Sequence, residues 1–199
     1  MEWLDIVDEN GIPTGETVER TRAHAEGIRH RTAHVWLLRR RPEGVEVLLQ
    51  KRSRTKDSFP GCYDISSAGH IPAGSEVLPS AQRELLEELG LLADPEDFCY
   101  IGIRRFFHET EFYGRPFVDR QVSFVYVLWM DVEPEKMKLQ EEEVEEVRWM
   151  PLAACIQGVK DGTLHTCLYE EELRMVENAA KEKAGERILS ERMAAFEPA

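Results

Sequence analysis

The chain has 199 residues, 42% of them hydrophobic and 32% charged, the balance of a folded domain with an adequate core rather than of a fibre or a disordered tail. Its 38 acidic and 25 basic residues leave a formal charge of −13, a field that repels nucleic-acid backbones and anionic membranes. Duplex binding is disfavoured, whereas a phosphate-bearing small molecule is not, because a divalent cation held by carboxylates can bridge two negative partners.

In chain order, the first 28 or so residues, punctuated by Asn10-Gly11-Ile12-Pro13, are expected to form an N-terminal hairpin extension. Runs rich in β-branched, aromatic and leucine residues predict strands over 34–39 and 45–51, joined at Gly44 as a hairpin. A helix is predicted over 77–90, followed by strands over 99–107, 121–130 and 146–150 and a short helix after Pro151. A long amphipathic helix, carrying Leu168, Leu173, Val176, Ala180, Ile188 and Met193, is expected over 168–196 with a break near Gly185. The pattern reads as one domain over 1–199, an α/β fold with a mixed sheet covered by helices. Cys62, Cys99, Cys155 and Cys167 form no C-x-x-C pair, so neither a disulfide framework nor a zinc knuckle is signalled. No leader pattern and no apolar run near the roughly 20 residues a bilayer requires are present, so a cytoplasmic protein without a membrane partner is the expectation.

The 77–90 helix is the informative segment. At about 100° per residue, Glu84, Glu87 and Glu88 share a face about 100° wide, while Leu78, Leu85, Leu86 and Leu89 form the opposite stripe. Arg83 is placed to pair with Glu87, Ser75 to cap the start, Pro79 to sit in the first turn, and Gly90 to stop the helix. Three stacked carboxylates mean either a solvated face or a hard cation. The Gly/Pro-rich entry, Phe59-Pro60-Gly61 and Gly69 to Gly74, lets a backbone carbonyl reach the same ion, and that ligand set suits magnesium.

Residues 69–91 resemble the Nudix box, G-x5-E-x7-R-E-U-x-E-E-x-G-U with U aliphatic: Gly69, Arg83, Glu84, Leu85, Glu87, Glu88, Gly90 and Leu91 match in register. Ser75 stands where the box has its first glutamate, and Glu76 lies one residue late. That glutamate usually helps hold the box through the helix arginine, so the departure touches loop rigidity more than metal binding. The resemblance implies an α/β/α Nudix sandwich and a metal-dependent hydrolase that cleaves a diphosphate linkage in a nucleoside diphosphate derivative or a related organic diphosphate. It implies Mg2+ or Mn2+ on Glu84, Glu87, Glu88 and the Gly69 carbonyl, with Glu84 and Glu88 as the catalytic carboxylates, Glu84 first as general base, and Arg83 and Gly90 structural. Asp119, Glu142 and Glu143 are other base candidates, each equally readable as part of a solvated acidic loop. Family members are often homodimers, and the resemblance alone implies one here.

A narrower resemblance, to the branch related to isopentenyl-diphosphate isomerase, rests on Asp5-Ile6-Val7-Asp8-Glu9-Asn10-Gly11, His30-Arg31-Thr32-Ala33-His34-Val35-Trp36, Gln50-Lys51-Arg52-Ser53, Phe59-Pro60-Gly61 and Ala68-Gly69-His70. Such isomerases hold a metal with histidines and glutamates and protonate an alkene with a cysteine and a glutamate. His30 and His70 match two of those histidines, but the cysteine position is Ala68 and the later acid pair reads Asp119-Arg120-Gln121. Neither alanine nor glutamine moves a proton, so isomerase chemistry is disfavoured. A non-catalytic sensor of a nucleotide-like ligand is the reading from another class. Lys51 and Arg52, with Arg54 and Lys56, and also His30 and His70, are the substrate-binding candidates; Arg104, Arg105 and His108 form a second patch. Trp36, Phe59, Tyr63, Phe106, Phe107, Phe112 and Tyr113 are stacking candidates or core.

Overall fold

The computed structural model describes residues 1–182. In chain order the elements are β1 (Trp3–Val7), β2 (Pro13–Glu19), α1 (Arg20–Glu26), β3 (His30–Arg41), β4 (Gly44–Arg52), β5 (Tyr63–Asp64), β6 (Ser67–His70), α2 (Val77–Leu89), β7 (Cys99–Phe112), β8 (Arg115–Trp129), β9 (Val144–Pro151), α3 (Leu152–Lys160) and α4 (Glu170–Lys181). β1 and β2 pair as an antiparallel hairpin. The other strands make one mixed sheet around β3, which runs parallel to β8 on one side. On its other side, β6 pairs with Thr32–Val35 and β4 with Leu38–Arg41.

Side-chain alternation along β3 assigns the two faces. Ala33, Val35 and Leu37 join Leu85, Leu89 and Ala81 of α2, whereas Trp36 and Leu38 join Cys155 of α3 and Leu173 and Val176 of α4. The result is the helix–sheet–helix sandwich expected, with β3 buried from both sides.

Four local expectations are corrected. The 99–107 and 121–130 strands extend to Phe112 and back to Arg115, because Tyr113 (φ 53°) and Gly114 (φ 75°) make a two-residue turn with both central residues left-handed, the geometry that matches strand twist. Helix α1 was not expected: it has seven residues and only Ala23 is buried, so it carries little periodicity, and it is held by the Glu19 side chain at its start and left-handed Gly27 at its end. Glu76, not Ser75, occupies the N-cap of α2 and makes no side-chain cap bond; Gly90 (φ 68°) ends the helix. Leu86, at the rim of the apolar stripe, is 45% exposed. Of the helix expected over 168–196, α4 covers Glu170–Lys181; the break near Gly185, Ile188 and Met193 lie outside the described residues.

Candidate active site

The entry loop that follows Gly69 and β6 is anchored from the N-terminal hairpin. Arg31 donates through Nη2 to Asp5 Oδ2 at 2.7 Å and to the Ser75 carbonyl at 3.2 Å, and the Gly74 N–H donates to the same Asp5 oxygen at 3.0 Å. Both side chains of the pair are about nine-tenths buried. The tie between box loop and scaffold thus runs through Asp5 and Arg31, beside the position where Ser75 supplies no carboxylate.

From this loop, β6 passes directly under α2. The Ala68 N–H donates to Glu88 Oε2 at 3.2 Å, and a Cβ placed on Gly69 would lie 2.2 Å from Glu84 Cδ. Only glycine therefore lets this strand and Glu84 come together. Arg83 donates to Glu84 at 2.7 Å and to Glu87 at 3.1 Å, holding the outer two carboxylates side by side. The acid stripe is not a solvated face: Glu88 is 6% exposed and the Glu84 side chain 16%, whereas Glu87 stays half exposed. Burial pushes Glu88 up to about 8, and burial with Glu87 alongside raises Glu84 despite Arg83. Two enclosed carboxylates with raised proton affinity carry a burial cost that a neighbouring positive charge would offset.

These groups line a cavity of about 410 Å³ together with Gly69, His70, Arg52 and Lys56. Arg52 is fixed by Asp64 at 3.0 Å and by the Ser58 carbonyl, and Lys56 pairs with Glu143. Lys51 instead bonds Glu145 at 2.8 Å and, like the exposed Arg54 and Glu142, is not on the cavity wall. The second patch divides: Arg104 lines the cavity, whereas Arg105 ties back to the Glu9 carbonyl and Asn10. Phe59 and Phe106 also line it, Trp36 is core, Phe107 and Tyr113 are exposed, and Tyr63 lies beneath Arg148.

A second cluster was only half legible. His24 of α1 joins His30 and His70, with one ring nitrogen of each within 4.8 Å of the others. His30 Nδ1–H donates to the Ile28 carbonyl, which leaves its Nε2 as a lone pair. Asp119 Oδ1 stands 3.9 Å from His24 Nδ1 and 4.0 Å from His30 Nε2, and all three atoms are buried with no hydrogen-bond partner. Burial holds His24 near 3 and keeps His30 and His70 below the usual range, so the rings offer lone pairs rather than positive charge. Gln121, which donates to Asp119 Oδ2 at 2.7 Å, and Ala68 share this wall.

A helix-flanked mixed sheet with a glutamate triad folded against a glycine strand defines a class of α/β proteins built around an acidic pocket. The NUDIX domain family matches residues 28–166, and the chain belongs to that family. It is 39% identical over 152 residues to Nudix hydrolase 3 of Arabidopsis thaliana, covering 75% of this chain but only 19% of that protein's length. It is 31% identical over 188 residues to the uncharacterized Nudix hydrolase YfcD of Salmonella typhi, covering 92% of this chain and 90% of the relative. A crystal structure from Deinococcus radiodurans shares the fold, with a TM-score of 0.62 at 19% identity over 87% of this chain and 98% of that one.

Proposed function

We propose that this chain is a metal-dependent hydrolase of a diphosphate linkage in a nucleoside diphosphate derivative or a related organic diphosphate. The observation that carries the reading is the charge of the cavity: five Lys and Arg against eight Asp and Glu line it, and the cations Arg52, Lys56 and Arg83 are already matched by Asp64, Glu143 and Glu84. A diphosphate finds those three cations already paired, so divalent cations arriving with it supply the attraction that the wall lacks. Glu84, Glu87, Glu88 and the Gly69 carbonyl are the residues that fit Mg2+ or Mn2+. When bound, the ion neutralises phosphate charge and acidifies a water for attack at phosphorus. Glu84 would serve as the proton acceptor for the attacking water, Glu88 holds the strand–helix junction through the Ala68 N–H, and Arg83 orients Glu84. The unpartnered nitrogens of His24 and His30, with His70 and Asp119, fit a second cation of the kind imidazole favours.

The family membership and the enclosed triad support hydrolysis over a ligand sensor, and Ala68 and Gln121 on the cavity wall support it over isomerisation. The test is phosphate or nucleotide release from a panel of dinucleotides, sugar nucleotides and isoprenyl diphosphates with Mg2+, comparing wild type with Glu84→Gln and Glu88→Gln. Both variants are expected to lose about 10²-fold or more while folding normally. Unchanged turnover in both, or saturable binding with no product, overturns the assignment.

A further inference from the structure

Hydrolysis as described makes no use of a buried polar cluster on the same cavity. The Glu172 side chain of α4 is 2% exposed; its Oε1 accepts from His34 Nδ1 and Trp36 Nε1, each at 2.8 Å, and its Oε2 from Arg104 Nη1 at 3.1 Å. His34 and Trp36 are two apart on β3, so one face of the strand presents both to a single oxygen. Stability alone does not call for this arrangement. A buried ion pair is commonly no better than apolar packing of equal volume, and Leu173 and Val176 already seat α4 on the sheet.

Arg104 has donors to spare. Of its five N–H groups, one bonds Glu172, and Nε is buried with no hydrogen bond, Glu171 Oε2 standing 3.8 Å away. Two neighbouring rings pack on one side of the guanidinium, with Cζ 4.3 Å from the Phe106 ring centre and 4.6 Å from that of Tyr169, the two centres themselves 4.6 Å apart. Glu172 also cancels its charge, which leaves a directed donor rather than a net cation.

We propose that Arg104 is a specificity-determining residue that donates to an uncharged oxygen, hydroxyl or carbonyl, on the organic group of the substrate, and that Glu172 is the positioning residue that fixes it. The proposal rests on the reading that this cavity takes an organic diphosphate. Its test is calorimetric binding, with Mg2+, of ADP and of methyl diphosphate, which share the diphosphate and differ in an oxygen-bearing organic group. Wild type should bind ADP at least about tenfold more tightly, the worth of one charge-assisted hydrogen bond. That ratio should fall towards one in Arg104→Met and Glu172→Gln. It should also fall in Arg104→Lys, which keeps the charge facing Glu172, and so the fold, but loses the planar fork.

A purely structural role would lower melting temperature or weaken both ligands alike and leave the ratio in place, and that result overturns the proposal. So does a wild type that binds both equally or neither. Failure of wild type to release phosphate from any diphosphate overturns the hydrolytic reading instead, and the binding ratio still decides the role of Arg104.

Discussion

Glycine at position 69 is a site residue by subtraction. Any side chain there would press within 2.2–2.5 Å of the Glu84 carboxyl, yet its φ does not lie in the left-handed region, so alanine brings no backbone strain. The methyl group must push Glu84 away from the strand carbonyl. Gly69→Ala is expected to cost about 10²-fold in kcat/KM, the scale of a 1 Å misplacement, with a melting temperature close to wild type. Coupled phosphate-release kinetics beside a circular-dichroism melt check this, and full activity would mean that Glu84 does not need its present seat. Asp5 makes a second case. It is the shared acceptor of Arg31 and the Gly74 N–H, so Asp5→Ala strands a buried guanidinium and frees the box loop. A loss of about 3–5 kcal/mol is expected from urea unfolding, whereas Ser75→Ala, which removes no side-chain bond seen here, should stay within about 0.5 kcal/mol.

Among elements, α2 was the most legible from sequence because its charges and leucines obey one period, and the box residues fix its register. What periodicity missed was where the acid stripe points. Glu84 and Glu88 face β6, and nothing in the helix sequence reports a strand packed on its polar side. His24 escaped notice for a related reason: α1 is too short to show a period, and its histidine meets His30 and His70 only through tertiary packing. Lys51 and Arg52 looked equivalent as neighbours, yet only Arg52 is on the cavity wall, and Glu145 occupies Lys51. Nothing in the sequence sets Glu172 apart from the other charges of its amphipathic helix. Its burial opposes ionisation, but His34 and Arg104 outweigh that and hold the carboxyl below its usual range. A group lowered in the folded state contributes stability above its unfolded value near 4.5, and that contribution is lost as pH falls through the folded value. Acid unfolding followed by tryptophan fluorescence should show a step below pH ~4.5 that Glu172→Gln diminishes. Leu173→Ala, one residue along and fully buried, should cost about 2–5 kcal/mol without changing that pH dependence.

For the whole molecule the governing quantity is charge. At −13 overall, and with Arg52, Lys56 and Arg83 on the cavity wall each matched by an acid, the proposed diphosphate would meet repulsion at long range and little attraction on arrival. On the proposed function, binding of substrate and of divalent cation would be one coupled event, each raising the affinity of the other by the same factor. Calorimetric titration of ADP is expected to show no measurable binding in EDTA and clear binding in millimolar Mg2+. Mg2+ alone should bind more weakly than Mg2+ in the presence of ADP, by the factor that Mg2+ confers on ADP. Raising the salt concentration pulls on the same balance from outside, because screening reduces the long-range repulsion while leaving the enclosed Glu84 and Glu88 almost unscreened. Added salt should therefore speed association yet fail to replace the metal. Tight ADP binding in EDTA at high salt would show that the enclosed carboxylates do not set the charge that the substrate meets.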